Sequence, residues 1–328
     1  MAVTIKEIAQ RCGVSEGTVD RALNNRKGIS EATKAKIMEV AKEMGYKPNH
    51  LAQCLATGST KTIGVVCPDI HNHFFSMLIE AIEHEATKQG YFITLILTHN
   101  IPQKEIDGIR YLADRQVDGI LLFPIALGDA YVEELKKLEI PIVTIYNRLS
   151  PVFTHVDVDC RTIMKEGVSR LHAKGYDQII YMDFRYTEST KSGINLFSIT
   201  ERRLGYLDGV QALGLAEHIF EGCPEEILGT LKPEDKGHTA LMCPTDHMAI
   251  WVNSLCQDMG IRVPEDVGII GFDNIDVLRN ITPHICSVEV DKRELAKQAF
   301  AILLEKIHGE YTGGDVVCDY EFTEGDTI

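Results

Sequence analysis

No stretch of the 328 residues reaches the ~18 successive apolar side chains that a bilayer-spanning helix needs. The opening residues, MAVTIKEIAQRCGV, lack the charged-then-apolar pattern of a secretory leader. The expectation is a cytoplasmic protein with no membrane partner. Cysteine occurs nine times, an odd number, with no Cys-x-x-Cys pair and mostly inside apolar runs. That spacing offers neither a disulfide framework nor a zinc ligand set, so the thiols read as small buried hydrophobes. Phosphate-cradling loops are missing as well. No Gly-x-Gly-x-x-Gly opens the first strand–helix turn, and no Gly-x-x-x-x-Gly-Lys-Ser/Thr occurs. The twelve histidines are scattered; His71 and His73 are close, but no convincing third ligand accompanies them. Polar cleft or surface groups is the simpler reading. These gaps argue against an enzyme, and no catalytic residue, cofactor or metal is expected.

Positive charge is scarce too, with 33 Lys/Arg against 48 Asp/Glu and a formal net charge of −15. The deficit is uneven. Residues 1–60 carry nine Lys/Arg and six Asp/Glu, a net of +3; the remainder carries 24 and 42, a net of −18. A small basic head therefore precedes a large acidic body, and only the head suits a polyanionic partner.

The head reads as three helices. Thr4-x-x-Glu7 is a capping box, followed by Ile5, Ile8, Ala9 and Cys12 at helical spacing, with a stop at Gly13. Ser15 can cap a second helix reaching about Asn24, with Val19, Ala22 and Leu23 facing inward. Ser30 can cap a third, with Ala32, Ala35, Ile37, Met38, Val40, Ala41 and Met44 as its apolar face and Gly45 as its end. Two short helices around a glycine turn form a helix-turn-helix; a protein-interaction bundle is the competing reading. In a helix-turn-helix the second helix enters the major groove, N-terminal residues foremost. Those residues are Ser15, Glu16, Gly17 and Thr18, with Arg21 one turn on. Glu16 has two readings of equal weight, a cytosine contact and a favourable interaction with the helix dipole. Beyond Lys47-Pro48, Asn49 can cap a helix from about His50 to Leu55. A helix of one or two turns is unstable alone and needs DNA or its own copy in a dimer.

The run from Thr4 to Asp69, TIKEIAQRCGVSEGTVDRALNN through LATGSTKTIGVVCPD, resembles the opening of the lactose/galactose repressor (LacI/GalR) family. By that resemblance the short helix is a hinge that folds on operator DNA. Leu55 corresponds to a side chain that wedges between base pairs in the minor groove, with Ala52 beside it, and Tyr46 and Asn49 to phosphate contacts. The expected DNA-contacting set is Thr4, Ser15, Glu16, Gly17, Thr18, Arg21, Asn24, Thr33, Tyr46, Asn49, Ala52 and Leu55. Three positions depart from the family pattern: Asp20 replaces a common Ser, Gly17 removes a side chain from the reading helix, and Gln53 stands where Arg is frequent. Each is expected to lower nonspecific affinity.

The body alternates strand-like runs (TIGVVCP, YFITLIL, DGILLFP, IPIVTIY, DQIIYMD, TALMCP, VGIIGFD) with amphipathic segments such as 75–89, 103–115, 161–174, 201–213 and 247–259. That alternation implies parallel sheets covered on both faces. About 270 residues of it suggest two lobes with a cleft between them. The fold class expected is α/β: a three-helix helix-turn-helix DNA-binding domain at 1–60, with a hinge helix near 49–57, and a two-lobed body at 61–328. The lobes are expected at roughly 61–160 plus 290–328, and 161–289. Ligands bind beyond the carboxyl ends of such strands, which singles out Asp69, the segment 71–75, Tyr146-Asn147-Arg148, Asp159, Asp183, Asp246-His247 and Asp273-Asn274. A lone Asp at such a place is commonly a helix cap; the collection, rich in carboxylates, amides and aromatic rings, suits a polyhydroxylated ligand.

The resemblance continues through the body to the sugar-binding lobes of the same family, which share the periplasmic binding-protein fold. ERRLGYLDGV places Arg202 at an effector position; CPTDHMAI and GIRVPEDVGIIGFDNID point to Asp246 and Asp273; Phe74 and Tyr146-Asn147 fall on the cleft lining. The expected effector-binding set is Asp69, Asn72, Phe74, Tyr146, Asn147, Arg202, Asp246 and Asp273. TPHICSV resembles a return crossing between lobes, with Cys286-Ser287 in place of the usual Thr pair. The segment 185–197 carries no usable pattern. A transport-type binding protein is the second rival; the body fits it, the head does not.

The expectation is therefore a bacterial, nucleoid-associated repressor. It would bind near-palindromic operator DNA as a homodimer and be controlled allosterically by a small carbohydrate. No heptad tail follows CDYEFTEGDTI, which disfavours a coiled-coil tetramer. On the hinge reading, Leu55→Ala weakens operator binding about tenfold, ~1.4 kcal/mol, and leaves ligand affinity nearly intact. Equal operator affinity of variant and parent in a gel-shift titration refutes it.

Overall fold

The computed structural model describes residues 3–24, 26–46, 58–183, 193–231 and 238–328. The chain divides into two compact units, Met1–Thr60 and Lys61–Ile328. Asn49, Ala52, Gln53 and Leu55, and with them the expected hinge helix, lie outside the described residues.

The head unit contains α1 (Ile5–Cys12), α2 (Glu16–Leu23) and α3 (Glu31–Glu43). Its helices begin where local chemistry dictates. Thr4 N donates to Glu7 Oε2 at 2.7 Å and Glu7 N to Thr4 Oγ1 at 3.3 Å, a complete capping box. Gly13, at φ 70°, takes the left-handed turn that ends α1. Ser15 and Ser30 cap the next two helices through the amides of Thr18 and Thr33. Gly13-Val14-Ser15-Glu16-Gly17 has the Gly-x-Ser-x-Gly spacing of a hydrolase nucleophile elbow. Here it joins two helices, not a strand to a helix, and its hydroxyl is the cap. Ile8, Ala9, Cys12, Val19, Ala22, Ile37 and Ala41 form the core. The third helix buries a narrower stripe than expected: Ala32, Ala35 and Met38 are exposed, because two eight-residue helices cover only one side of it.

The body is built from two parallel sheets. The first has six strands in the order β11-β5-β4-β3-β1-β2: β1 (Thr62–Cys67), β2 (Phe92–Leu97), β3 (Gly119–Leu122), β4 (Ile142–Ile145), β5 (Thr154–Val158) and β11 (Val316–Cys318). The second has the order β7-β6-β8-β9: β6 (Gln178–Met182), β7 (Ile219–Phe220), β8 (Thr239–Met242) and β9 (Gly268–Ile270). Helices α4 (His73–Lys88), α5 (Pro102–Asp114) and α6 (Asp129–Lys137) serve the first sheet. Helices α7 (Cys160–Ala173), α8 (Phe197–Leu213), α9 (Pro224–Thr230) and α10 (Asp246–Asp258) follow in the second half. The chain returns through β10 (Ser287–Val290), α11 (Lys292–His308) and β11, then ends with β12 (Tyr320–Thr323), antiparallel to β10.

All seven sequence-read strands and all five named amphipathic segments fall on observed elements. Two features differ from expectation. Strand β5, THVDV, is polar by composition, yet Thr154, His155 and Asp157 are buried between β4 and β11. Helix α11 packs on α4, β3 and β4, as the first lobe requires. The final residues do not stay there, because β12 pairs with β10, and Ile269 N donates to the Thr327 carbonyl at 2.8 Å. The tail from Tyr320 onward thus belongs with the second sheet, whereas the expected division gave all of 290–328 to the first lobe.

Helices α7 and α8 pack closely through small residues. A Cβ at Gly205 would stand 2.2 Å from the Arg161 carbonyl oxygen, and one at Gly209 2.7 Å from Val168 Cβ. Since α8 carries Arg202, this contact sets the height of that side chain. Gly205→Ala is expected to cost about 1–3 kcal/mol by overpacking, read as a lower urea midpoint. Unchanged stability would show that the helices separate freely.

Candidate functional site

In the head, Ser15, Glu16 and Gly17 are exposed at the N-terminus of α2, with Thr18 half-buried behind them and Arg21 exposed one turn on. The Thr18 hydroxyl lies 2.9 Å from Ser15 Oγ, so the two are held as a pair. Thr4 is exposed within its capping box; Thr33 is half-buried with its hydroxyl 2.7 Å from Ser30; Tyr46 packs against the head core. Asn24 donates to Asp20 Oδ1 at 2.8 Å, and Arg26 reaches Asp20 Oδ2 at 3.2 Å. The anion that departs from the family pattern is therefore partnered within the head, a compensation the sequence reading missed because Arg26 follows α2 in a turn.

In the body, Phe74, Tyr146, Arg202 and Asp273 converge from four elements. Phe74 is buried at the start of α4, its ring centroid 5.7 Å from that of Tyr146. Tyr146, just past β4, holds φ at 69°, the left-handed region that turns its ring onto Phe74 and Phe75. Arg202 is 1% exposed, with its guanidinium 3.7 Å from the Phe272 ring centroid and 5.7 Å from that of Tyr146. It donates to the Pro244 carbonyl and lies 3.4 Å from Asp273 Oδ1. Arg202 Nε has no hydrogen-bond partner among the described residues. Asp273 sits at φ 105°, with Lys292 donating to its backbone carbonyl. Burial pushes its carboxyl up to about 6, against the pull of Arg202 and Lys292. Phe272 and Cys160, which also belong to this cluster, lack any sequence signal beyond apolar character.

Asn147 joins the two halves. Its Nδ2 donates to the carbonyls of Pro124 and Asn195, and its Oδ1 accepts from Ser198 N at 3.0 Å. Both amide ends are spent on the backbone at the start of α8, so Asn147 positions Arg202 and has little left to offer a ligand. Asp246 is likewise committed: it is fully buried, accepts from Ile275 N at 2.8 Å and from Ser287 Oγ at 2.6 Å. Ser287, one of the two altered crossing residues, is thus its partner. Asp69 accepts from the amides of His71 and Asn72, and Asn72 caps α4 through Phe74 N. These two line a hollow with His71, His99 and His247. At its edge His73 N donates to His247 Nε2 at 3.3 Å, and His73 Nδ1 lies 3.1 Å from Asp276. Asp159 is the cap of α7, and Asp183 is paired with Arg203 at 2.6 Å. Among the described residues no group of three or more His, Cys, Asp or Glu could hold a metal ion, and no helix is long and apolar enough to cross a membrane.

Comparison with known proteins adds independent findings. Residues 4–49 match the bacterial regulatory proteins of the lacI family, and residues 168–328 match the periplasmic binding protein-like domain. The chain is 31% identical over 315 residues to the HTH-type transcriptional repressor PurR of Vibrio cholerae serotype O1, covering 93% of this chain and 91% of that protein. It is 30% identical over 326 residues to catabolite control protein A of Priestia megaterium, covering 97% and 96%. A crystal structure of the lac repressor dimer bound to operator and the anti-inducer ONPF superposes with a TM-score of 0.85 at 21% identity. That superposition covers 100% of this chain and 99% of that one, and shows the shared fold.

Burial, the largest influence, raises Asp246 to about 8, and Asp273 adds to it. An acid whose folded value exceeds its unfolded value of about 4 stabilises the fold fully below the unfolded value. That contribution is lost as pH rises through the folded value. Asp246→Asn is therefore expected to flatten the decline of stability between about pH 4 and 8, followed by urea unfolding at a series of pH values. An unaltered pH profile in the variant contradicts the assignment.

Proposed function

The chain belongs to the lacI family of bacterial regulatory proteins and is a DNA-binding transcriptional repressor, and on that footing we propose that a small carbohydrate bound between the two lobes controls it. The observation that carries this reading is the buried Arg202 guanidinium, set between the rings of Phe272 and Tyr146 and beside Asp273. Aromatic faces suit the apolar side of a sugar ring, and a guanidinium–carboxylate pair supplies donor and acceptor to adjacent hydroxyls. Among proteins of like fold, one structure is described as the regulator CelR with cellobiose, and a LacI family regulator from Enterococcus faecium as having bound ribose. Phe74, Tyr146, Arg202 and Asp273 would touch the ligand. Asp69, Asn72, Asn147 and Asp246 shape the walls around it.

On the DNA side, Ser15, Glu16, Gly17, Thr18 and Arg21 would face base edges. Thr4, Asn24, Thr33, Tyr46 and Asn49 would fix the head on the phosphates, and Ala52 and Leu55 belong to the hinge. One head covers a half-site, so a homodimer on a near-palindrome follows, with the protein on the nucleoid in the cytoplasm. Ligand and operator would be coupled by about 1–3 kcal/mol, roughly 5–150-fold.

The test is a thermal-shift screen against sugars and sugar phosphates, then calorimetry with the hit. Arg202→Ala and Asp273→Ala are each expected to weaken ligand binding at least about tenfold while operator affinity without ligand stays within about twofold. Unchanged ligand affinity in both variants removes them from the site, and a non-carbohydrate hit overturns the carbohydrate assignment.

A further inference from the structure

Beside the first crossing between the lobes lies a second pocket, of about 200 Å³, room for several atoms beyond a single water at ~30 Å³ each. Its walls come from both halves of the body: His155 and Asp157 from β5, Phe197 and Glu201 from the first turns of α8. Neither the proposed effector site nor the DNA surface uses these residues.

One arrangement of protons satisfies both the Thr154 carbonyl and His155 Nδ1. The Thr144 hydroxyl donates to the Thr154 carbonyl at 3.3 Å, so Thr144 Oγ1 is left to accept from His155 Nδ1 at 3.1 Å. In the neutral ring with its proton on Nδ1, Nε2 carries a lone pair. This side chain is 8% exposed, and Nε2 has no hydrogen-bond partner among the described residues. A buried acceptor left unmet is unfavourable, so the site favours a donor. The nearest charge is Asp157 Oδ2 at 3.8 Å, beyond hydrogen-bond range, on a side chain 10% exposed.

The other charges sort themselves. Asp315 is occupied by Arg148 and by the His155 amide, which cancels the one cation in the lining. Asp159, also in the lining, accepts from the amide and hydroxyl of Thr162, which leaves Asp157 and Glu201 as the charge facing the space. Phe197 stands edge-on to the imidazole, with centroids 6.0 Å apart at 87°, and offers apolar surface.

An acceptor lone pair, carboxylates and an aromatic wall in one small space call for a ligand that donates, carries positive charge and has a short apolar stem. We propose that this pocket binds a small aliphatic amine in its protonated form. Its ammonium group donates to His155 Nε2 and Asp157, and its alkyl chain lies along Phe197. The amine bridges the two lobes beside the Arg202 cluster, with which the pocket shares Cys160.

The test titrates n-butylamine and 1,4-diaminobutane into the full-length protein at pH 7.5 by calorimetry, with 1-butanol and butyrate as neutral and anionic counterparts of equal length. The amines are expected to bind at least tenfold more tightly than either counterpart. His155→Phe and Asp157→Asn are each expected to weaken the amine tenfold or more. No amine binding, 1-butanol binding as tightly, or amine affinity unchanged in folded variants overturns the proposal. Because both side chains are buried and a variant can fail to fold, a crystal of the unaltered protein soaked in 1,4-diaminobutane gives a second decision. An amine nitrogen within 3.2 Å of His155 Nε2, a hydrogen-bond distance, supports the site; amine density only elsewhere overturns it.

Discussion

A guanidinium sealed between two lobes constrains everything around it. Stripped of water, Arg202 needs compensation in kind, since an uncompensated buried charge costs several kcal/mol. The compensation comes from separate parts of the chain: the Pro244 carbonyl after β8, the Asp273 carboxylate after β9, and the Phe272 and Tyr146 rings. Satisfying one side chain therefore ties the first sheet to the second. Asn147 makes the same tie through backbone groups, anchoring the start of α8 to the end of β4. The left-handed conformations at Tyr146 and Asp273 are strain of the sort tolerated where a site is held in place by its surroundings.

Charge is divided as sharply as structure. The basic residues of the head suit phosphate, and the acidic body does not. Within the head, Asp20 is answered by Arg26 and Asn24, so an anion on α2 is held inside the protein's own network. Within the body, carboxylates are spent on caps, crossings and pairs: Asp159 on α7, Asp246 on Ile275 and Ser287, Asp183 on Arg203. The five acidic positions singled out from the strand ends therefore do unequal work. Asp273 faces the buried cation, and the rest are spent on backbone amides, a hydroxyl or a second ion pair.

Legibility followed the range of the interaction. The capping box at Thr4, the serine caps, the glycine turn and the alternating apolar runs rest on neighbours within a few residues, and each reads directly from the chain. Arg202 was legible only through family resemblance and Asp273 also by its place after a strand, but nothing in their local pattern says that residues 71 positions apart meet. Phe272 looked like ordinary strand filling, and the polar strand β5 was not among the runs read as strands.

What the sequence determined alone was seven strands and the helices that follow them, their order, the parallel-sheet class and the basic head on an acidic body. Periodicity, capping and charge count depend on composition at close range. Tertiary structure decided which carboxylates face a cation and which face a backbone amide, that Thr154, His155 and Asp157 could be buried, and that the last nine residues cross back to the second sheet. Each of those outcomes depends on a partner brought from far along the chain, and the cost of burying a polar group has no value until that partner is in place.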